Sequence, residues 1–239
     1  MKKKDNNKNL DYLNKIRIAH RGLWNDENPE NSVGSFRRCL DKGIPIELDV
    51  HILKDGTLVV FHDANTLRMT GKKIVLKDAI YDDIKDLKLK DTKYGIPKFS
   101  DVLKLVDGKV LLDIEIKYDV KNFKICREIC KYLDDYRGDF IVKSFNPVYL
   151  VWFRLFRPNY IRGLLVSGNK GENIRNNLWF CFNRWFNIFM KIDFLAFDYR
   201  YLPNKNIDKI KKSGIPVLLF TLKDDNKIKY ENYGYIFEE

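Results

Sequence analysis

Histidine and cysteine are scarce in this 239-residue chain, which holds three of one and four of the other. Cys39, Cys126, Cys130 and Cys181 are too few, in a chain this long, for a disulfide scaffold. Cys126 and Cys130 stand four apart on an expected helix, but no second ligand pair accompanies them, so helix packing is favoured over a metal. No apolar run approaches the roughly 20 residues that cross a bilayer. The basic start MKKKDNNKNLDYLNK has no apolar stretch behind it and does not read as a secretory signal. Residues 1–15 are therefore expected to be a flexible polar lead-in, residues 16–239 one domain, and the compartment cytoplasmic. Acid is short as well: 33 Asp and Glu against 44 Lys and Arg leave a net charge of +11. That balance favours anionic partners, although a dispersed lysine-rich surface accounts for most of it. No arginine–aromatic recognition module is present, so nucleic acid is not an expected partner.

What is present is a regular alternation. Short β-rich runs (IRIA, IPIELDVHIL, TLVVFHD, KVLLDIEIK, DFIVKSF, YIRGLLV, DFLAFDY, IPVLLFTL, YGYIF) are separated by stretches of helical period, including Ser32–Lys42 and Pro147–Phe156. Strand-then-helix order predicts a parallel sheet with crossover helices. About eight such strands in this length predict an α/β fold, a TIM (β/α)8 barrel. The chain runs from the last strand to Glu238-Glu239, so the final helix is expected to be short or missing. The charged interval Ala64–Lys98 is expected to be an insertion after the His62 strand, long enough to be functional.

Strand parity exposes the chemistry. In IPIELDVHI, Glu47, Asp49 and His51 share one face; in LLDIEIK, Asp113, Glu115 and Lys117 share one. Burying Glu47, Asp49 and Glu115 together without a cation is costly. Their convergence predicts a divalent ion with oxygen ligands, Mg²⁺ or Ca²⁺; pairing of each acid with a lysine or arginine is the plainer alternative. His20 and His62 fall at strand-to-loop junctions, where one imidazole can act as base and the other as acid in phosphoester cleavage. His51 is read as structural. Arg21 and Lys117 add positive charge suited to an anionic phosphodiester.

Taken in order, AHRG, NPENS, IELDVHILKDG, VVFHD, LRMTG, IPKFSDVL, IEIK, KSF and GIPVLLFT make the sequence resemble the glycerophosphodiester phosphodiesterase family of metal-dependent TIM-barrel enzymes, from Ile18 to Phe237. The resemblance implies that His20 and His62 are the general acid/base pair, that Glu47, Asp49 and Glu115 hold the cation, and that Arg21 and Lys117 grip the phosphate. It implies release of glycerol 3-phosphate and an alcohol such as choline or ethanolamine, through attack of the neighbouring glycerol hydroxyl on phosphorus. Ser32 replaces the Thr usual after PEN. Phe220 replaces the usual Trp beside Thr221, keeping an apolar substrate wall without the indole N–H. IFEE stands where the family usually has an Asp.

Three other readings are weighed. The segment 176–191 gathers Asn176, Asn177, Asn183, Arg184, Asn187 and Lys191 opposite Leu178, Phe182, Trp185, Phe186 and Phe189. Such a helix packs on the sheet or lies on an anionic membrane, and the second placement suits a lysophospholipase D. A non-catalytic barrel that binds glycerophosphodiesters or headgroups would have tolerated loss of a histidine or an acid, and none is lost. A phospholipase C-like barrel would release a cyclic phosphate. No protein partner is predicted.

Overall fold

The computed structural model describes residues 10–117, 122–167, 190–223, 230 and 232–239. Nine strands form one sheet: β1 (Arg17–Ala19), β2 (Ile46–Ile52), β3 (Leu58–Val60), β4 (Leu112–Ile116), β5 (Phe140–Ser144), β6 (Arg162–Val166), β7 (Phe194–Asp198), β8 (Val217–Leu222) and β9 (Gly234–Phe237). Their order is β1-β9-β8-β7-β6-β5-β4-β2-β3, and β1 also pairs with β2. The sheet therefore closes into a barrel of eight parallel strands with helices around it. The ninth strand, β3, is additional. It runs antiparallel to β2, pairing Val50 with Val60 and Ile52 with Leu58, so TLVVFH is a hairpin arm and not a stave.

By internal contacts the chain divides into two compact units. The first, Ile18–Val142 with Glu238–Glu239, contains Ile18 and Ala19 of β1, the strands β2 to β4, and helices α1 (Val33–Lys42), α2 (Leu67–Thr70), α3 (Phe99–Val106) and α4 (Lys124–Leu133). Ser32 starts α1 with a reciprocal cap: its Oγ accepts from Ser35 N at 3.1 Å, and its own N–H donates to Ser35 Oγ at 3.3 Å. Gly43, at φ 63°, ends that helix in the left-handed region. Cys126 and Cys130 are buried on the inner face of α4, and Cys181 lies outside the described residues. The interval 64–98 encloses its own apolar cluster of Met69, Leu76, Ile84, Leu89 and Ile96 against Val59 and Phe61. At ~1.5–3 kcal/mol for each large buried side chain, that cluster makes the insertion an ordered part of the unit.

The second unit, Met1–Arg17 with Lys143–Phe237, holds β6 to β9 together with α5 (Pro147–Phe156) and α6 (Lys205–Lys212). Asn146 caps α5 by accepting from Val148 N at 3.0 Å, and Pro147 occupies the first turn, where no N–H is needed. Within this unit Asp11–Asn14 forms a 3₁₀ turn with Leu13 fully buried. A side chain at Gly234 would collide with the Leu13 carbonyl. Residues 1–9, and the amphipathic segment 176–191 up to residue 189, lie outside the described residues. Among the described residues no helix is long and apolar enough to cross a membrane.

Candidate active site

The acids are positioned by register. In the parallel β2–β4 pair, Glu47 stands opposite Asp113 and Asp49 opposite Glu115. Because side chains alternate along a strand, all four share one face. Glu47, Asp49 and Glu115 are buried, and each offers a carboxylate oxygen within 4.8 Å of the others. These are hard oxygen donors at a spacing one divalent cation can bridge.

Two cations are built into the same cluster. The Lys117 ammonium lies 2.8 Å from Asp49 Oδ1 and 2.6 Å from Glu115 Oε1, and the Arg21 Nε lies 3.4 Å from Asp49 Oδ2. Burial alone would raise the Asp49 carboxyl, but Lys117, then Arg21 and His62, hold it well below the usual range. Burial works against the Lys117 ammonium, yet Asp49 and Glu115 hold its proton more tightly than usual. The three acids converge, and of them Asp49 and Glu115 are paired with side-chain cations while Glu47 accepts from the Arg21 backbone N–H. Three carboxylates against two cations leave a negative excess, so the donor set fits a further cation.

Arg21 owes its position to a strained turn. After β1, Arg21 and Gly22 take φ 56° and 81°, and a Cβ on Gly22 would come within 2.6 Å of Ser35 Oγ. The Arg21 N–H donates to Glu47 Oε2 at 3.0 Å, and its guanidinium donates to Glu30 Oε1 at 2.8 Å. Asn31, also left-handed at φ 54°, donates from its N–H to the Arg21 carbonyl at 2.9 Å and from Nδ2 to Asp49 Oδ2 at 2.8 Å. The NPENS motif therefore reaches the acid cluster through Asn31.

Each flanking histidine is held by a carboxylate. His62 Nδ1 is 2.7 Å from Asp63 Oδ1, and His20 Nδ1 is 2.8 Å from Glu238 Oε1. A carboxylate oxygen only accepts, so Nδ1 donates and Nε2 is the ring nitrogen left for chemistry. Burial first, and the Lys117 and Arg21 cations after it, lower the His62 pKa against the pull of Asp49 and Asp63. His51 places Nε2 3.0 Å from the His62 carbonyl oxygen. Phe220 is in the other unit, half-buried on β8, with its ring edge-to-face against Phe145 at 6.4 Å.

Five polar neighbours of the site have no counterpart in the sequence reading: Glu30, Asn31, Asp63, Arg68 and Glu238. Glu30 and Asn31 were quoted within NPENS, Asp63 within VVFHD and Arg68 within LRMTG, which is the signal that could have found them. Glu238 is 218 residues from its histidine, and IFEE alone does not point to it. Beside Glu30 and Arg68 opens a pocket of about 420 Å³, walled also by Trp24, Pro29, Met69 and Lys90.

A family model for glycerophosphoryl diester phosphodiesterases matches residues 20–234. A glycerophosphodiester phosphodiesterase of Caldanaerobacter subterraneus subsp. tengcongensis is 35% identical over 163 residues, which cover 63% of this chain and 66% of that relative, just under two thirds. A lysophospholipase D of Rattus norvegicus is 30% identical over 174 residues, covering 63% of this chain and 55% of its own length. Among solved structures, a phosphodiesterase of Oleispira antarctica, in complex with the product sn-glycerol-3-phosphate, superposes with a TM-score of 0.77 at 22% identity. That match covers 93% of this chain and 92% of that one, and likeness at that identity speaks for the fold.

Proposed function

The chain belongs to the glycerophosphoryl diester phosphodiesterase family, and from that premise we propose that it hydrolyses glycerophosphodiesters to glycerol 3-phosphate and an alcohol. The observation that carries the reading is the convergence of Glu47, Asp49 and Glu115 beside Arg21 and Lys117, with His62 held near them by Asp63. The product named in the Oleispira antarctica complex and the activity named for the Caldanaerobacter relative support the same substrate class.

Glu47, Asp49 and Glu115 would hold Mg²⁺ or Ca²⁺. When bound, such an ion supplies Lewis-acid charge that offsets the negative charge growing on a phosphoryl oxygen. Arg21 presents a planar guanidinium to the phosphate, and Lys117 an ammonium. One imidazole Nε2, of His20 or His62, takes the proton of the glycerol hydroxyl next to the ester. That oxygen bonds to phosphorus, and the bond from phosphorus to the alcohol oxygen breaks. The other imidazole gives the departing oxygen its proton. Water then opens the cyclic phosphate by the reverse proton transfers, leaving glycerol 3-phosphate. A His62 pKa below the ordinary value suits the base at neutral pH. The pocket beside Glu30 has room for a leaving alcohol.

A second substrate class follows from the Rattus norvegicus relative: a lysophospholipid, cleaved by the same chemistry at a membrane surface. We read the protein as cytoplasmic, with contact to an anionic membrane confined to that case. The test is release of glycerol 3-phosphate from glycerophosphocholine and glycerophosphoethanolamine with Mg²⁺, with Ca²⁺ and with chelator, beside His20→Ala. Metal-dependent release that disappears in His20→Ala is the expected result. A wild type silent on these substrates and on lysophospholipids would overturn the enzyme reading in favour of a binding barrel, and a cyclic phosphate as final product would favour the phospholipase C-like route.

A further inference from the structure

The LRMTG motif walls the pocket beside Glu30 but takes no part in the proton transfers above, and its arginine is paired with two carboxylates. Arg68 donates from Nε to Asp63 Oδ2 at 2.6 Å and from Nη2 to Asp63 Oδ1 at 3.2 Å. From Nη1 and Nη2 it also donates to Glu30 Oε2 at 2.9 Å and Oε1 at 2.7 Å. Both carboxylates face inward to the site: Asp63 holds His62 Nδ1, and Glu30 holds Arg21. We propose that Arg68 is a positioning residue that fixes His62 and Arg21 together, through Asp63 and Glu30. This rests on the roles given above to His62 and Arg21, and goes beyond them by giving the insertion a part in catalysis.

Three features make this more than a surface ion pair. Glu30 is shared by two guanidinium groups and has a side chain only 12% exposed. Although burial works against its charge, Arg68 ahead of Arg21 keeps it ionised. The backbone beneath Arg68 is anchored, because Met69 is buried in the apolar cluster of the insertion and its carbonyl accepts from Lys90 N at 2.7 Å. The contact also needs a fork: a guanidinium can serve two carboxylates in one plane, whereas an ammonium is a single point charge. Without Arg68, Asp63 is free to turn away from Nδ1, and nothing then selects the ring tautomer that leaves Nε2 as the base. Glu30 would be left to Arg21 alone, and the guanidinium offered to the phosphate would shift with it.

The experiment compares wild type, Arg68→Gln, Arg68→Lys, Asp63→Asn, the Arg68→Gln/Asp63→Asn double variant and His62→Ala, on glycerophosphocholine with the activating metal, across pH. Arg68→Gln is expected to lower kcat on the order of 100-fold, the cost of a misplaced reacting group. It is also expected to move the acidic limb of kcat/KM to lower pH, because the Asp63 contact on Nδ1 that favours the protonated ring is no longer fixed. Arg68→Lys should keep the limb near its wild-type position and recover only part of kcat. The double variant should be worse than Asp63→Asn but better than the product of the two single losses, because Arg68 and Asp63 share the arm to His62 while the Glu30 arm is lost only with Arg68. General loss of folded protein would lower the rate equally at every pH and leave the limb in place, and that result would overturn the proposal. So would an Arg68→Gln enzyme within twofold of wild type while His62→Ala is inactive, with the phosphodiesterase reading left standing. Full activity in His62→Ala would instead remove the reading on which the inference rests.

Discussion

β2 and β4 on one hand, and β7 and β8 on the other, are strands of the same sheet made from opposite materials. Parallel strands covered on both faces ordinarily read as continuous apolar runs, and FLAFD and VLLFTL nearly do, with Asp198 only at the end of β7. IELDVHI and LDIEI are just as buried, yet every second residue is ionisable. The apolar strands can be held by packing alone. The charged ones depend on a list of partners, namely Lys117, Arg21 and Asn31, and most of that list lies in loops. Where a barrel gives up apolar burial for charge, the sequence shows where its chemistry has been placed.

The comparison breaks most visibly at Asp49. Asp49→Asn leaves Lys117 and Arg21 short of a carboxylate in a buried place. A loss of ~3–5 kcal/mol is expected in urea unfolding, along with a fall in activity of about 10²- to 10³-fold. Unfolding and turnover close to wild type would show that the pairing around Asp49 contributes little. On the apolar side, Phe194→Ala opens a cavity at a fully buried position whose ring lies against Gly163. Unfolding should become easier by ~3–5 kcal/mol, with the turnover of each folded molecule unchanged. If turnover fell in step with Asp49→Asn, the division between chemistry and scaffold would be lost.

The smallest effect is in pH. His62 has its pKa lowered in the folded chain, so between that value and the ordinary 6.5 the unfolded chain binds the extra proton. Stability from this residue is fully present above pH 6.5 and declines as pH falls through the folded value. Urea midpoints followed from pH 7.5 to 5 should therefore slope downward more in wild type than in His62→Asn. Equal slopes would mean the imidazole is as free to take a proton folded as unfolded.

What was legible in the sequence was what depends on period and neighbourhood. Two-residue alternation put Glu47 and Asp49 on one face of their strand and Glu115 on one face of its own, Pro147 marked the start of α5, and Ser32 that of α1. Strand direction was not legible, because LVV has the same residues whether it runs with β2 or against it; only the short LKDGT connection hints at a hairpin. The carboxylates that hold the histidines divide in the same way. Asp63 adjoins His62 in sequence, whereas Glu238 reaches His20 from the far end of the chain. Asn31 was hidden for a conformational reason, since its contact with Asp49 needs a positive φ that no pattern of polarity reports.

The antiparallel β3 imposes a constraint on how this chain can vary in length. His62 follows an arm whose register against β2 is fixed by three residue pairs, two positions beyond the pairing of Val60 with Val50. The acids and the histidine are thus measured off one ribbon, from Glu47 to His62. A single residue inserted in β3 would turn its side chains to the opposite face and carry the imidazole out of register with the carboxylates. The same change at the exposed tip, near Asp55 and Gly56, would leave both arms as they are. Gaps and insertions among functional descendants of this sequence should therefore fall at the tip or beyond His62, and the stretch between Glu47 and His62 should be inherited, or transplanted, as one piece.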